Sequence, residues 1–228
     1  MISTLVRTLQ HIAGEFAPVA LASSLSVEDM VLTDVIARAG LPIGVFVLDT
    51  GRLHADTLQL IQQTRTHYGI EVQAFTPDAD AVADYVASHG RDAFYGSLEL
   101  RQRCCHIRKV EPLQRALKGK RAWITGQRRE HSAERARLPE REFDAVHGME
   151  KFNPLAAWSE ADVWNAVRAR KIPYNRLYDQ GYRSIGCAPC TRPLLPGEEL
   201  RAGRWWWELA EHKECGLHPR KAEESHAA

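Results

Sequence analysis

The chain has 228 residues, 44% of them apolar and 26% charged, which suits one well-buried globular domain and excludes a disordered or fibrous chain. Its 30 Lys and Arg face 29 Asp and Glu, a balance that argues against non-specific nucleic-acid binding, so any basic site must be local. No apolar run reaches membrane-spanning length, and Met1-Ile2-Ser3-Thr4-Leu5-Val6-Arg7 lacks the pattern of a secretory signal. The expected compartment is the cytoplasm, where cysteines read as metal ligands or redox catalysts rather than as disulfides.

Apolar residues at Ile2, Leu5, Val6, Leu9 and Ile12 predict a helix over 2–15. Val19-Ala20-Leu21-Ala22-Ser23 reads as a strand, Ser23 to Asp29 as a polar turn, and Met30 to Ala39 as a helix closed by Gly40. Strand, serine-rich turn and helix open a βαβ unit. The turn is either an anion site at a helix N-terminus or, more plainly, a serine N-cap. It is neither a G-x-x-x-x-G-K nor a G-x-G-x-x-G loop.

Ile43-Gly44-Val45-Phe46-Val47-Leu48 has the pattern of a buried strand and ends in Asp49-Thr50-Gly51-Arg52, at the edge where open α/β sheets bind ligands. A helix over 55–68, a strand over 70–75 and a helix over 79–88 follow, then an irregular stretch from Gly90 to Leu100. The expected architecture is α/β: a mostly parallel sheet with helices on both faces.

Arg101-Gln102-Arg103-Cys104-Cys105-His106-Ile107-Arg108-Lys109 is basic and carries no acid. A helix over 101–117 puts Cys105 and Lys109 on one face. Ala122-Trp123-Ile124-Thr125 reads as a strand ending at Gly126. The charged segment Gln127 to Arg135 is then either a surface loop or an arginine clamp for phosphate or sulfate. Ser159 and Asp162 form a capping box, with Trp158 stapled onto Val163, for a helix reaching about Lys171.

Pro173 to Gly186 is loop-like and leads to Cys187-Ala188-Pro189-Cys190. Further on, Trp205-Trp206-Trp207 cannot all face one side of a regular element, so one of them should meet another surface, a ligand or solvent. With no repeat or linker, the expected organisation is one domain over 1–200 and a C-terminal tail over 201–228.

Four of the five cysteines form two pairs, Cys104 with Cys105 and Cys187 with Cys190; Cys215 is left over. Adjacent cysteines seldom both ligate one zinc, whereas each can reach a different iron of a cubane cluster. From the residues alone a cluster is favoured over zinc, with metal-free packing of buried cysteines the bland alternative.

These motifs, with Glu214-Cys215-Gly216-Leu217-His218, resemble the cluster-containing assimilatory adenylyl-sulfate reductases, within the family that also holds the 3′-phosphoadenylyl-sulfate reductases. The resemblance covers nearly the whole chain. It extends to the Ser23–Asp29 loop, Leu48-Asp49-Thr50-Gly51-Arg52, Gly126-Gln127-Arg128-Arg129 with Ser132 and Arg135, and the tail with Arg201 and Arg204. One departure is Ser26, where family loops usually carry glycine.

The resemblance implies an adenine nucleotide α-hydrolase-like fold, a [4Fe-4S] cluster on Cys104, Cys105, Cys187 and Cys190, and thioredoxin as electron donor. The implied reaction turns adenylyl sulfate into sulfite and AMP, with Cys215 attacking the sulfuryl sulfur. Lys109, Arg135, Arg201, Arg204 and His218 are implied to surround the phosphosulfate, and Ser23, Leu48 and Gly126 to line the nucleotide. The 3′-phosphorylated substrate, an ATP-using adenylating enzyme and a zinc-stabilised interaction module remain alternatives, and a homo-oligomer stays open.

Overall fold

The computed structural model describes residues 1–209. Six strands form one sheet in the order β3-β2-β1-β4-β6-β5, where β1 is Val19–Ser23, β2 Ile43–Leu48, β3 Val72–Phe75, β4 Ala122–Ile124, β5 Arg141–Asp144 and β6 Met149–Phe152. All neighbours run parallel except β5, which pairs antiparallel with β6 at the edge. This hairpin has no sequence signal, because Arg141-Glu142-Phe143-Asp144 is too charged to read as a strand.

The helices are α1 (Ile2–Glu15), α2 (Val27–Arg38), α3 (Ala55–Tyr68), α4 (Ala79–His89), α5 (Leu98–Cys105), α6 (Glu111–Leu117) and α7 (Glu160–Arg170). Strand alternation sorts the side chains to two faces. Val19, Leu21, Val45 and Ile124 pack with α1, α2, α3 and α7, while Ala20, Phe46 and Trp123 pack with Leu113, Ala116 and Leu117 of α6. Both faces are therefore covered. No helix among the described residues is long and apolar enough to cross a membrane.

Local signals hold at several ends. Ser159 and Asp162 form the expected capping box of α7, and Trp158 joins Val163 in the core. Ser26 caps α2 with φ −64°, its hydroxyl accepting from Asp29 N. Positive φ falls instead on the preceding Leu25, at 60°, so a serine at position 26 meets no backbone constraint that only glycine satisfies.

The expected unbroken helix over 101–117 is corrected. It begins at Leu98, and a π turn over His106–Val110 separates α5 from α6. Such turns add a residue to the helical repeat and are frequent at functional sites.

Candidate active site

The chain leaves β1, crosses outward to β2 and β3, and returns to the other side of β1 as β4. That reversal opens a crevice at the carboxyl ends of β1 and β4, where α/β sheets bind ligands. A cavity of about 240 Å³ lies there. Its walls include Ser23, Leu48 and Gly126 from the strand ends, and Lys109, Arg135, Arg201 and Arg204 from elsewhere in the chain.

The loop after β1 is tied down by its own acids. Asp29 Oδ2 accepts from Ser24 N and Ser24 Oγ, each at 2.7 Å, and its Oδ1 accepts from Gly126 N at 3.0 Å. Burial pushes the Asp29 carboxyl up against these bonds. A Cβ on Gly126 would collide with Asp29 Oδ1 and lie 2.9 Å from Glu28 Cβ, so only glycine lets β4 approach α2 this closely. The plainer view of this turn, a serine N-cap, describes the local structure. Positive charge in the cavity comes from side chains rather than from this turn.

The charged segment after Gly126 is anchored by a buried cluster. Glu28 Oε1 accepts from Arg128 Nε at 2.8 Å and lies 2.9 Å from His131 Nε2. Arg128 Nη1 donates to Trp158 O at 3.2 Å. His131 Nδ1 accepts from Arg128 N at 3.2 Å, which leaves the ring proton on Nε2, facing Glu28. Burial opposes the Glu28 charge, but His131 and Arg128 outweigh it and hold the carboxyl down at about 2. The first arginine of the segment is thus structural, whereas Arg135 reaches the cavity wall.

A second, smaller cavity adjoins the first. Cys104, Cys105, Cys187 and Cys190 all line it, among Arg52, Phe94, Arg101, Arg108 and Lys109. Cys104 and Cys105 stand at the end of α5. Cys187 and Cys190 lie in a tight turn sewn to the chain after β2 by a Leu53–Cys187 bridge and an Ala188 N–H to Arg52 O bond of 2.7 Å.

Thr50 Oγ1 lies 3.2 Å from Cys187 Sγ. Burial works against the Cys187 thiolate, but Lys109, Thr50, Arg204 and Arg108 outweigh it and set the thiol below its ordinary value. Burial and the neighbouring Cys187 push Cys190 up to about 12. Among the described residues no three His, Cys, Asp or Glu side chains converge as for a single metal ion. Four thiols spread around a cavity have the donor chemistry of a polynuclear iron–sulfur centre.

Lys109 and Cys187 line both cavities. Trp205 joins them: it lines the larger cavity and packs with Phe94, Cys105, Cys187 and Cys190. It is 1% exposed and carries φ 41°, a backbone state that costs about 1–3 kcal/mol outside glycine. Arg101 and Arg204 lie over its ring at 4.6 and 4.7 Å. Arg101, itself buried, also donates to the partly buried Glu208 at 2.8 Å and so fixes the end of the described chain.

The tryptophan run divides as expected: Trp205 is buried, Trp206 is 39% exposed, and Trp207 rests 4.4 Å from Tyr95. Cys215 and His218 lie outside the described residues. Sequence reasoning did not single out Thr50, Arg101, His131 or Trp205 as site walls. Thr50 and His131 stood in segments at strand exits, where ligands are expected, and Trp205 in a run of which one member was expected to meet another surface, a ligand or solvent.

Comparison with known proteins settles the lineage. Residues 18–193 match the phosphoadenosine phosphosulfate reductase domain. The chain belongs to this family. A protein named adenosine 5′-phosphosulfate reductase from Allochromatium vinosum is 54% identical over 216 residues, which is 95% of this chain and 84% of the relative. A Burkholderia cepacia protein of the same name is 57% identical over 210 residues, 92% of this chain and 84% of its own.

Among solved structures, a phosphoadenylyl-sulfate reductase from Candida auris, in a phosphate complex, superposes with a TM-score of 0.69 at 26% identity, covering 84% of this chain and 96% of that one. The FMN adenylyltransferase of Candida glabrata, with a TM-score of 0.57 at 15% identity over all of this chain and 77% of its own, shares the fold alone. The fold is that of the adenine nucleotide α-hydrolase-like proteins.

Proposed function

We propose that this chain is an adenylyl-sulfate reductase of sulfate assimilation, which turns adenylyl sulfate into sulfite and AMP with electrons from thioredoxin. The observation that carries the reading is the shared wall: Lys109 and Cys187 line both the cation-rich cavity and the four-cysteine cavity. The names of the relatives, at more than half identity, point the same way.

The nucleotide sits at the strand ends, against Ser23, Leu48 and Gly126. Lys109, Arg135, Arg201, Arg204 and His218 surround the phosphosulfate, whose charges need several fixed cations in a desolvated site. The Cys215 thiolate attacks the sulfuryl sulfur. The bond between that sulfur and the bridging oxygen breaks, AMP departs with the electron pair, and an S-sulfo-cysteine forms. A thioredoxin thiolate then attacks Cys215 Sγ and expels sulfite. The second thioredoxin thiol resolves the mixed disulfide, so thioredoxin supplies two electrons and Cys215 is restored.

Cys104, Cys105, Cys187 and Cys190 hold a [4Fe-4S] cluster. When bound, it supplies structural and electrostatic support to the site through Lys109, without net redox change. Thiols in this role fit the cytoplasm. The unphosphorylated substrate is preferred over its 3′-phosphorylated form, in keeping with the relatives' names.

The test is sulfite release by anaerobically purified protein from both nucleotides, with and without reduced thioredoxin, alongside iron and sulfide analysis. Thioredoxin-dependent sulfite from adenylyl sulfate, about four irons per chain and a sulfite adduct lost in Cys215→Ser are expected. No sulfite from either nucleotide, or stoichiometric zinc without iron, would overturn the reading.

A further inference from the structure

We infer that Gln127 reads the nucleobase, its side-chain amide N–H donating to an acceptor nitrogen of the adenine ring. The inference rests on the larger cavity being the nucleotide site.

Gln127 lines that cavity and is 6% exposed. Its Oε1 accepts from Lys151 Nζ at 3.4 Å. Lys151 is itself held, by Glu142 Oε1 at 2.9 Å and over the Trp123 ring at 5.4 Å. An ammonium offers donors only, so it takes the amide oxygen and turns the NH₂ group the other way. That Nε2 is closed to water and has no hydrogen-bond partner among the described residues. A buried donor left unpaired is costly, and this one belongs to a residue of the cavity wall, so a ligand that pushes the wall aside far enough to reach Nε2 gains the missing hydrogen bond.

The surroundings say which part of the ligand it meets. Trp123 belongs to the cluster on the α6 face of the sheet, with Leu113, and Ala22 and Leu48 pack against it. All four also line the cavity. An apolar wall with an oriented donor suits a nucleobase, while the phosphosulfate has lysine and arginines to meet it. Adenine offers unprotonated N1, N3 and N7 as acceptors, whereas guanine and hypoxanthine keep N3 and N7 but carry a proton on N1, so the 1-deaza analogue is the one that reports base choice. A donor that meets N1 chooses the base as well as holding it; one that meets N3 or N7 only holds it. The whole device depends on β6, since Lys151 stands in register beside Trp123 of β4.

The experiment is equilibrium binding of AMP and of 1-deaza-, 3-deaza- and 7-deaza-AMP to the full, anaerobically prepared chain, comparing wild type with Gln127→Leu. Wild type should lose about 10-fold in affinity for one of the three analogues, as a lost hydrogen bond to a buried donor implies. Gln127→Leu should bind AMP about 10-fold more weakly and no longer distinguish AMP from that analogue. In turnover it should raise KM and leave kcat near wild type, as loss of uniform binding does.

Gln127→Glu keeps the shape, pairs with Lys151 and lacks the donor, so it should repeat the loss even where the leucine variant folds poorly. Equal wild-type affinity for all four nucleotides, or an analogue penalty undiminished in both variants, overturns the role of Gln127 alone. A wild-type chain that binds none of them overturns the nucleotide reading of the cavity, and this inference with it.

Discussion

Replacing Glu28 by glutamine removes the charge at the centre of the cluster that anchors the 127–135 segment. The Glu28 side chain is 6% exposed, 2.8 Å from Arg128 Nε and 2.9 Å from His131 Nε2. Its carboxyl is held at about 2 against an ordinary 4.5, because His131 and Arg128 outweigh the penalty of burial. Holding the carboxyl that far below its ordinary value is worth about 3 kcal/mol. Breaking a buried ion pair from one side gives a similar figure, about 3–5 kcal/mol. Some of Arg128's bonding survives, to Glu130 at 2.8 Å and to Trp158 O at 3.2 Å, so the lower figure is expected.

The sign follows from the lowered value. The contribution is complete above about pH 4.5 and is lost as pH falls towards 2. Urea unfolding of wild type and Glu28→Gln at pH 7 should show a gap of about 3 kcal/mol, shrinking to about half by pH 3. Because Arg135 is carried on the anchored segment, KM should also rise. A gap below about 1 kcal/mol at pH 7, or one that does not shrink towards pH 3, would refute this account of the cluster.

Two glycines carry separate expectations. Gly126→Ala drives a methyl group into Asp29 and Glu28 at the start of α2, so it should cost about 1–3 kcal/mol of stability and weaken AMP binding. Calorimetric titration showing wild-type AMP affinity would contradict the close approach. Gly186→Ala places a Cβ 2.5 Å from Arg204 Nη2, and the guanidinium must leave its seat over Trp205. A flexible side chain can yield, so stability should hold while substrate affinity falls about 10-fold or more, as for a lost charge-assisted bond. Unchanged KM with normal unfolding would show that Arg204 does not need this seat.

The sequence alone defined the elements whose signals are local. Strands β1 and β2 and helices α1 and α3 lie where periodicity puts them, because strand alternation and helical spacing are read within a dozen residues. The α7 capping box is likewise a contact between near neighbours. The cysteine pairs were also legible, since each pair sits within one short segment.

What only the tertiary structure decided is which distant segments meet. Cys104 and Cys105 at the end of α5 share a cavity with Cys187 and Cys190 because the return of the chain fixes the 187–190 turn against the loop after β2. No pattern foretold the β5–β6 hairpin, whose charged strand is stabilised by pairing at a sheet edge rather than by burial on both faces. Nor did any foretell the π turn that lies between the cysteines and α6, or the burial of Glu28 beside Arg128. A charge in sequence reads as solvated surface. Burial becomes tolerable only when its partner arrives across the fold, about a hundred residues away in this case, and topology alone brings it there.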